Sequence, residues 1–381
     1  MRSGLKRSLA IGASLLLSGL LAPLTALAKD PEPRRIGVWL TNSPSPLYYT
    51  KQRINAAVDE LSAAGFNTLY PNVWSRGTTF HRSRWAPMEP ALFQSDPNHD
   101  PICRFTEAAH RRGLRVIPWF EYGLMEPADA AVVGQHPEWV LQNRAGRSSV
   151  SMHGKDMVWL NPAHPGVRKR FLGLIGEIVQ RCKVDGIQLD DHFAWPVELG
   201  YDPYTRQLYR QDTGQDPPEL HTDRAWMNWR RRQLTGLLRE LRRTLKESGQ
   251  GSPYVSLSPG PFRFAYNHWL QDWEIWALGG LIDELVVQNY AYSLAGFEKD
   301  LQQPALTKSS SWGIPVEIGI LAGFGGRTTP LPDLSERVKL AAARGHGVIY
   351  FYWEGLWGAH AGPEGAALRR EGLKQLHQAL P

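Results

Sequence analysis

Eight times along this chain a short apolar run is followed by a helical pattern, and that alternation constrains the fold more than any other feature. The runs are RRIGVWLT (34–41), NTLYPNVW (67–74), LRVIPWFE (114–121), DGIQLDD (185–191), PYVSLSP (253–259), ELVVQNY (284–290), PVEIGILA (315–322) and GVIYFYWE (347–354). Each is seven or eight residues long, the length of a buried strand. Helical patterns follow at 51–65, 102–113, 164–182, 224–248, 267–279, 296–304, 333–344 and 364–379. Strands joined through helices pair in parallel, because a parallel neighbour needs a long crossover. Eight such units in succession predict an α/β protein with a single (β/α)8, or TIM, barrel over 29–381 and elaborated βα loops. Gly65, Gly113 and Gly345 follow helices and precede strands, as helix C-caps at the bottom of a barrel do.

The first 28 residues stand outside that pattern. Arg2, Lys6 and Arg7 precede an apolar stretch from Leu9 to Leu21 and then Ala26-Leu27-Ala28. This order predicts a secretory signal peptide cut before Lys29, and so a periplasmic or extracellular protein. The stretch is short for a retained membrane anchor, and no later segment is apolar enough to span a bilayer. The segment carries three positive charges and no acid, so the formal charge falls from +6 to +3 without it. No Lys/Arg block with interleaved aromatics argues for nucleic acid. Cys103 opens the second helix and Cys182 closes the third, at opposite ends of neighbouring helices in this layout. An 18-residue helix is ~27 Å long and a disulfide needs Cα atoms within about 7 Å, so both thiols are expected to be free.

In such barrels the site lies at the C-terminal ends of the strands, and strand residues alternate between helices and barrel axis. Ile187 and Leu189 then face outward. Gln188 and Asp190 face the axis, with Asp191 beginning the loop above. The same parity turns Glu121, Asn72 and Trp74 inward and ends the eighth strand at Glu354. The predicted rim collects Asn72, Trp74, Arg76, Glu121, Asp190, Asp191, His192, Trp195, Gln288, Asn289, Tyr290, Tyr292 and Glu354. Carboxylates and amides bind hydroxyls and aromatic faces stack on sugar rings, so this set suits a carbohydrate. The catalytic candidates are Asp190, Asp191, Glu121 and Glu354.

Structural alternatives bear on each. A lone Asp-Asp pair is more often a loop or helix cap, and only its position at a strand end points to chemistry. Glu121 could pair with Arg76 or Arg115, and His192 could merely cap a loop. Glu317 sits early in its strand and reads as a paired structural residue near the barrel bottom. His81, His110, His153 and His164 lack metal spacing, so no metal and no cofactor is expected. No Walker, dinucleotide-binding or G-x-S-x-G motif occurs.

IGVWLTN (36–42), NTLYPNVWSRG (67–77), RVIPWFE (115–121) and DGIQLDDHFAWP (185–196) resemble the glycosyl hydrolase-like family 10 over roughly residues 33–360. The resemblance implies an exported bacterial barrel whose catalytic position falls on Asp190 and Asp191, with one branch acting on peptidoglycan glycan strands stripped of peptides. Glu121 departs from the residue expected there. The leading function is hydrolysis of an envelope polysaccharide; a non-catalytic carbohydrate-binding scaffold and a hydrolase of other glucans are the alternatives. Adjacent acids on one strand suggest substrate assistance, in which the sugar's 2-acetamido oxygen attacks. Asp190 would orient the acetamido group and Asp191, its pKa raised, would act as general acid, with Tyr290 or Asn289 holding the acetamido carbonyl. Oligomeric state is left open.

Overall fold

The computed structural model describes residues 34–380 apart from 96–99, 153, 249–252 and 309–310. The expected signal peptide lies outside the described residues. Among the described residues no helix is long and apolar enough to cross a membrane.

Nine strands form one parallel sheet: β1 (Ile36–Leu40), β2 (Thr68–Pro71), β3 (Arg115–Val116), β4 (Trp119–Phe120), β5 (Gly186–Asp190), β6 (Tyr254–Ser258), β7 (Glu284–Asn289), β8 (Val316–Leu321) and β9 (Val348–Phe351). Their spatial order is β3-β2-β1-β9-β8-β7-β6-β5-β4. The two ends of that order, β3 and β4, are halves of one run, so the sheet curls back to the strand where it began. Pro118 interrupts the run because it has no N–H for the ladder. Ile117 N–H still donates to Leu69 C=O on one side (2.9 Å), and Gln188 N–H donates to Pro118 C=O on the other (2.7 Å).

The curl gives each strand two chemically different faces. Trp39, Tyr70, Ile117, Trp119, Val286, Ile349 and Tyr352 form a cluster of their own inside. Val38, Leu40, Ile187 and Leu189 belong to the larger core between sheet and helices. Across the interior, Trp39 Nε1 donates to Gln188 Oε1 (2.6 Å), which satisfies two polar atoms that burial would otherwise penalise.

The helices α1 (Lys51–Ala63), α2 (Pro101–His110), α3 (Pro165–Cys182) and α4 (Arg224–Glu247) follow the expected pattern. The expected helix at 267–279 is two shorter ones, Phe262–His268 and Trp273–Leu278, broken at Leu270, which adopts φ +51°. The eighth strand ends at Phe351 rather than at Glu354, and the chain turns into a short helix, Trp353–Leu356. The third βα loop carries a small antiparallel sheet of Met125–Pro127, Val150–Met152 and Lys155–Trp159.

The expectation of free thiols is wrong. Cys103 and Cys182 form a disulfide, with Cα atoms 4.4 Å apart. The error lay in the length of α2. Ten residues span ~15 Å, so α2 covers only part of the barrel's height. The preceding strap descends along α3 to meet it. Trp85 lies against Gly173, Ser83 donates to Glu177 (2.7 Å), and Asp100 pairs with Arg181 (2.8 Å), one helical turn after another. Cys103 is therefore delivered low on the molecule, beside the end of α3.

Candidate active site

A cleft of about 850 Å³ opens at the C-terminal ends of the strands. The fold brings Asp190, Asp191, His192, Glu121, Gln288, Tyr290 and Tyr292 into its lining, together with Trp39, Trp119, Ser258, Phe324, Arg327 and Phe351. Asp190 is the last residue of β5 and only 3% exposed. It is held by neutral donors. Trp119 Nε1–H donates to one carboxylate oxygen. Gln288 Nε2 (3.1 Å) and the backbone N–H of Asp191 (2.5 Å) donate to the other. Burial pushes the Asp190 carboxyl well above the usual carboxylate range, and the charge of Asp191 and a hydrogen bond with it add to the rise. The Asp191 side chain keeps 23% of its surface exposed, nearer the cleft mouth.

Two loops are locked together to hold this pair. His192 Nδ1 meets the backbone carbonyl of Glu121 (2.9 Å), and Leu124 N–H donates to His192 C=O (3.1 Å). Gly123, at φ +49°, makes the approach possible: a Cβ there would stand 2.5 Å from the His192–Phe193 peptide. Gln271 fastens the other side, its Nε2 donating to the carbonyls of Asp190, Asp191 and Phe193 at 3.0–3.2 Å. Glu121 accepts from Asn72 Nδ2 (2.5 Å). Burial raises its carboxyl, and hydrogen bonds from Ser75 and Asn72 and the charges of His192 and Arg76 offset part of the rise. Tyr290 is raised by burial and then by the charges of Asp190 and Asp191.

Other predicted rim residues lie elsewhere. Trp74 is 1% exposed, donates to Gly123 C=O (3.2 Å) and packs under Arg170, because it starts a hairpin that leaves the barrel interior. Trp195 is fully buried and donates to Leu199 C=O (3.0 Å). Asn289 is 2% exposed and donates to Phe297 C=O (3.0 Å), on the helix side of β7. Glu354 is fully buried and accepts the N–H groups of Ser45 (2.8 Å) and Ala359 (3.3 Å), so it fastens two loops. Strand parity fails there because the strand has already ended. Arg76 and Asn72 line an adjoining cavity of about 280 Å³, which shares Glu121, Phe324 and Phe351 with the main cleft.

Trp119 and Gln271 were not anticipated as site residues. Strand parity turns Trp119 inward and could have named it. Gln271 stands in an irregular segment, where no periodic signal exists. Asp190, Asp191 and His192 each offer a ligand atom within 4.8 Å of the others. Both Asp190 oxygens and His192 Nδ1 already have protein partners, so the arrangement needs no ion to satisfy it.

The family model described as glycosyl hydrolase-like 10 matches residues 34–339. The chain belongs to the glycosyl hydrolase-like 10 family. The glycosyl hydrolase DigH of Escherichia coli strain K12 is 24% identical over 284 residues. The match takes in 66% of this chain and 60% of that relative. Among solved structures, the PgaB (BpsB) glycoside hydrolase domain from Bordetella bronchiseptica superimposes with TM-score 0.67 at 14% identity, covering 88% of this chain and 98% of that one. An alpha-L-fucosidase isoenzyme 2 from Paenibacillus thiaminolyticus gives TM-score 0.66 at 16% identity, covering 91% of this chain and 49% of that one. At such identities these two likenesses speak for the fold.

Proposed function

We propose that the protein is an exported glycoside hydrolase that cleaves peptidoglycan glycan strands by substrate assistance, with Asp190 and Asp191 as its acids. With the two halves of strand three counted as one, the curled sheet reads as a (β/α)8 barrel. The disulfide supports export, because such bonds persist in oxidising compartments. The observation that carries the mechanism is the pairing of a buried, neutral-donor-bound carboxyl with a more open one on the next residue.

Before substrate binds, burial and the neighbouring Asp191 charge favour the protonated form of Asp190. An acetamido N–H reaching Asp190 replaces that proton, which passes to Asp191. Asp191 then protonates the leaving glycosidic oxygen as the acetamido carbonyl oxygen attacks the anomeric carbon and the C–O bond breaks. Water adds to the anomeric carbon of the cyclic intermediate, reopens it, and returns a proton to Asp191. Trp119 and Gln288 stabilise the Asp190 carboxylate while its proton is away. Tyr290 is the nearer candidate to hold the acetamido carbonyl, since Asn289 faces away from the cleft.

One observation favours a second reading. Glu121 shares the cleft and is also raised by burial, so it could serve as the acid with Asp190 as nucleophile. A thiazoline inhibitor separates the two. Tight inhibition supports substrate assistance. Trapping a glycosyl ester on Asp190 with a fluorosugar would sink it in favour of the two-carboxylate route.

A further inference from the structure

A second large cavity, about 870 Å³, lies beside the site and has no part in the chemistry above. It is joined to the active cleft through the small cavity between them: one end of that cavity shares Glu121, Phe324 and Phe351 with the cleft, and the other shares Arg76 and Thr78 with the outer cavity. The three cavities adjoin one another in that order.

The outer cavity has its own chemistry. Trp139 lies against Gly166 and Trp85 against Gly173 of α3, where an added Cβ would meet each indole at 2.5 and 2.1 Å. Seven helical residues are two turns, so the two indoles sit ~10 Å apart along the helix, the scale of a disaccharide. His136 stacks face to face on Trp139 with ring centroids 3.9 Å apart, so on that side the imidazole presents the outer face of the ledge. Half-buried indoles packed on a helix are most often core, but these two line an open cavity. Cations stand between and beside them. Lys169 is exposed and has no ion-pair partner among the described residues. The Arg84 side chain is 80% exposed, lies over Trp85 and pairs through Nε with Glu177 (3.3 Å). Arg76 projects at the junction with the active cleft. Arg170 is already neutralised by Glu126 (2.7 Å), and Asp129 is the one acid in the lining that faces these cations.

We infer that this cavity is a distal subsite for a carboxylate-bearing segment of the glycan whose other end occupies the active cleft. Aromatic ledges at a disaccharide spacing take the sugar faces, and Lys169 and Arg84 take the carboxylates. The inference rests on the glycan reading of the function. A neutral chain would use the ledges and leave the cations idle.

The test compares peptide-free glycan strands bearing free carboxylates with the same strands after conversion to neutral methylamides. Affinity is read by tryptophan fluorescence and turnover by product release. The carboxylated strand is expected to bind about tenfold more tightly, the loss of one charge-assisted contact, and added salt should shrink the difference. The double variant Lys169→Glu, Arg84→Glu should erase it, and Trp139→Ala should weaken both strands. Equal affinity for the two strands overturns the inference, as does a difference that persists in the double variant. If both strands are cleaved with equal affinity, only the subsite falls. If neither is bound or cleaved, the glycan reading falls with it.

Discussion

The curled sheet buries carboxylates at both ends of its interior, and the two ends give them different partners. At the bottom, Arg35 pairs with Glu284 (3.0 Å), Tyr70 hydroxyl donates to the same carboxylate (3.1 Å), and Glu317 accepts the backbone N–H of Gly347. Arg35, Glu284 and Glu317 are each at most 6% exposed. At the top, Asp190 is as deeply buried, yet among the described residues no lysine or arginine forms an ion pair with it. An arginine fixes a carboxylate in its charged form. An indole N–H and an amide N–H leave the proton negotiable. The bottom arrangement suits a plug, and the top suits a proton store.

Breaking the top should cost turnover, and breaking the bottom should cost stability. Asp191→Asn is expected to lower kcat by ~10²–10⁴-fold, the range for loss of a general acid, while affinity for the glycan and the melting temperature hold. A variant that bound no glycan, or kept full turnover, would contradict the assignment. Arg35→Met leaves Glu284 buried without its cation and should destabilise by roughly 3–5 kcal/mol, read by denaturant unfolding, with turnover per folded molecule unchanged. Gly123→Ala drives a methyl into the His192–Phe193 peptide and displaces the aspartate loop. A misplacement of that kind can cost up to ~10²-fold in turnover, and the pH profile should distort with it.

The smallest effect concerns pH. Burial first, and then Glu284, push Glu317 up to about 8. The folded state therefore binds this proton more tightly than the unfolded chain does. The resulting stability is present at low pH and is lost as pH rises from about 4.5 through about 8. Glu317→Gln should flatten that part of the stability–pH curve and leave the activity profile alone. Asp190→Asn should remove a slope of the same sign at the other end of the barrel, and activity along with it. If both variants changed activity, the two ends would not be independent.

The sequence made the strands legible because period-two alternation survives as long as a strand is regular. Gln188 and Asp190 are inward for that reason, and Glu317 lies low in its strand for the same one. Alternation ends with the strand: Glu354 lies three residues past β9 and Trp195 five past β5, where loop geometry decides direction. Trp74 begins a hairpin, and the helical side of β7 claims Asn289. The cysteines were misread because helix length, not helix order, set their heights. Gln271 left no trace at all, since its role is to reach three carbonyls from an irregular segment.

The interrupted third strand has a consequence for motion. Pro71 and Pro118 supply no amide protons, so the ladder is thinnest where β2, β3 and β4 meet, directly beneath Glu121. By contrast, β5 is paired residue for residue with β6 along its whole length. Local opening favours the place where the fewest hydrogen bonds must break, so amides of 115–120 should exchange with solvent ahead of those of 186–190. The opening is confined to the β2 side of the third strand, because on its other side Trp119 and Phe120 pair with Gln188 and Leu189 and His192 ties the Glu121 loop to the aspartates.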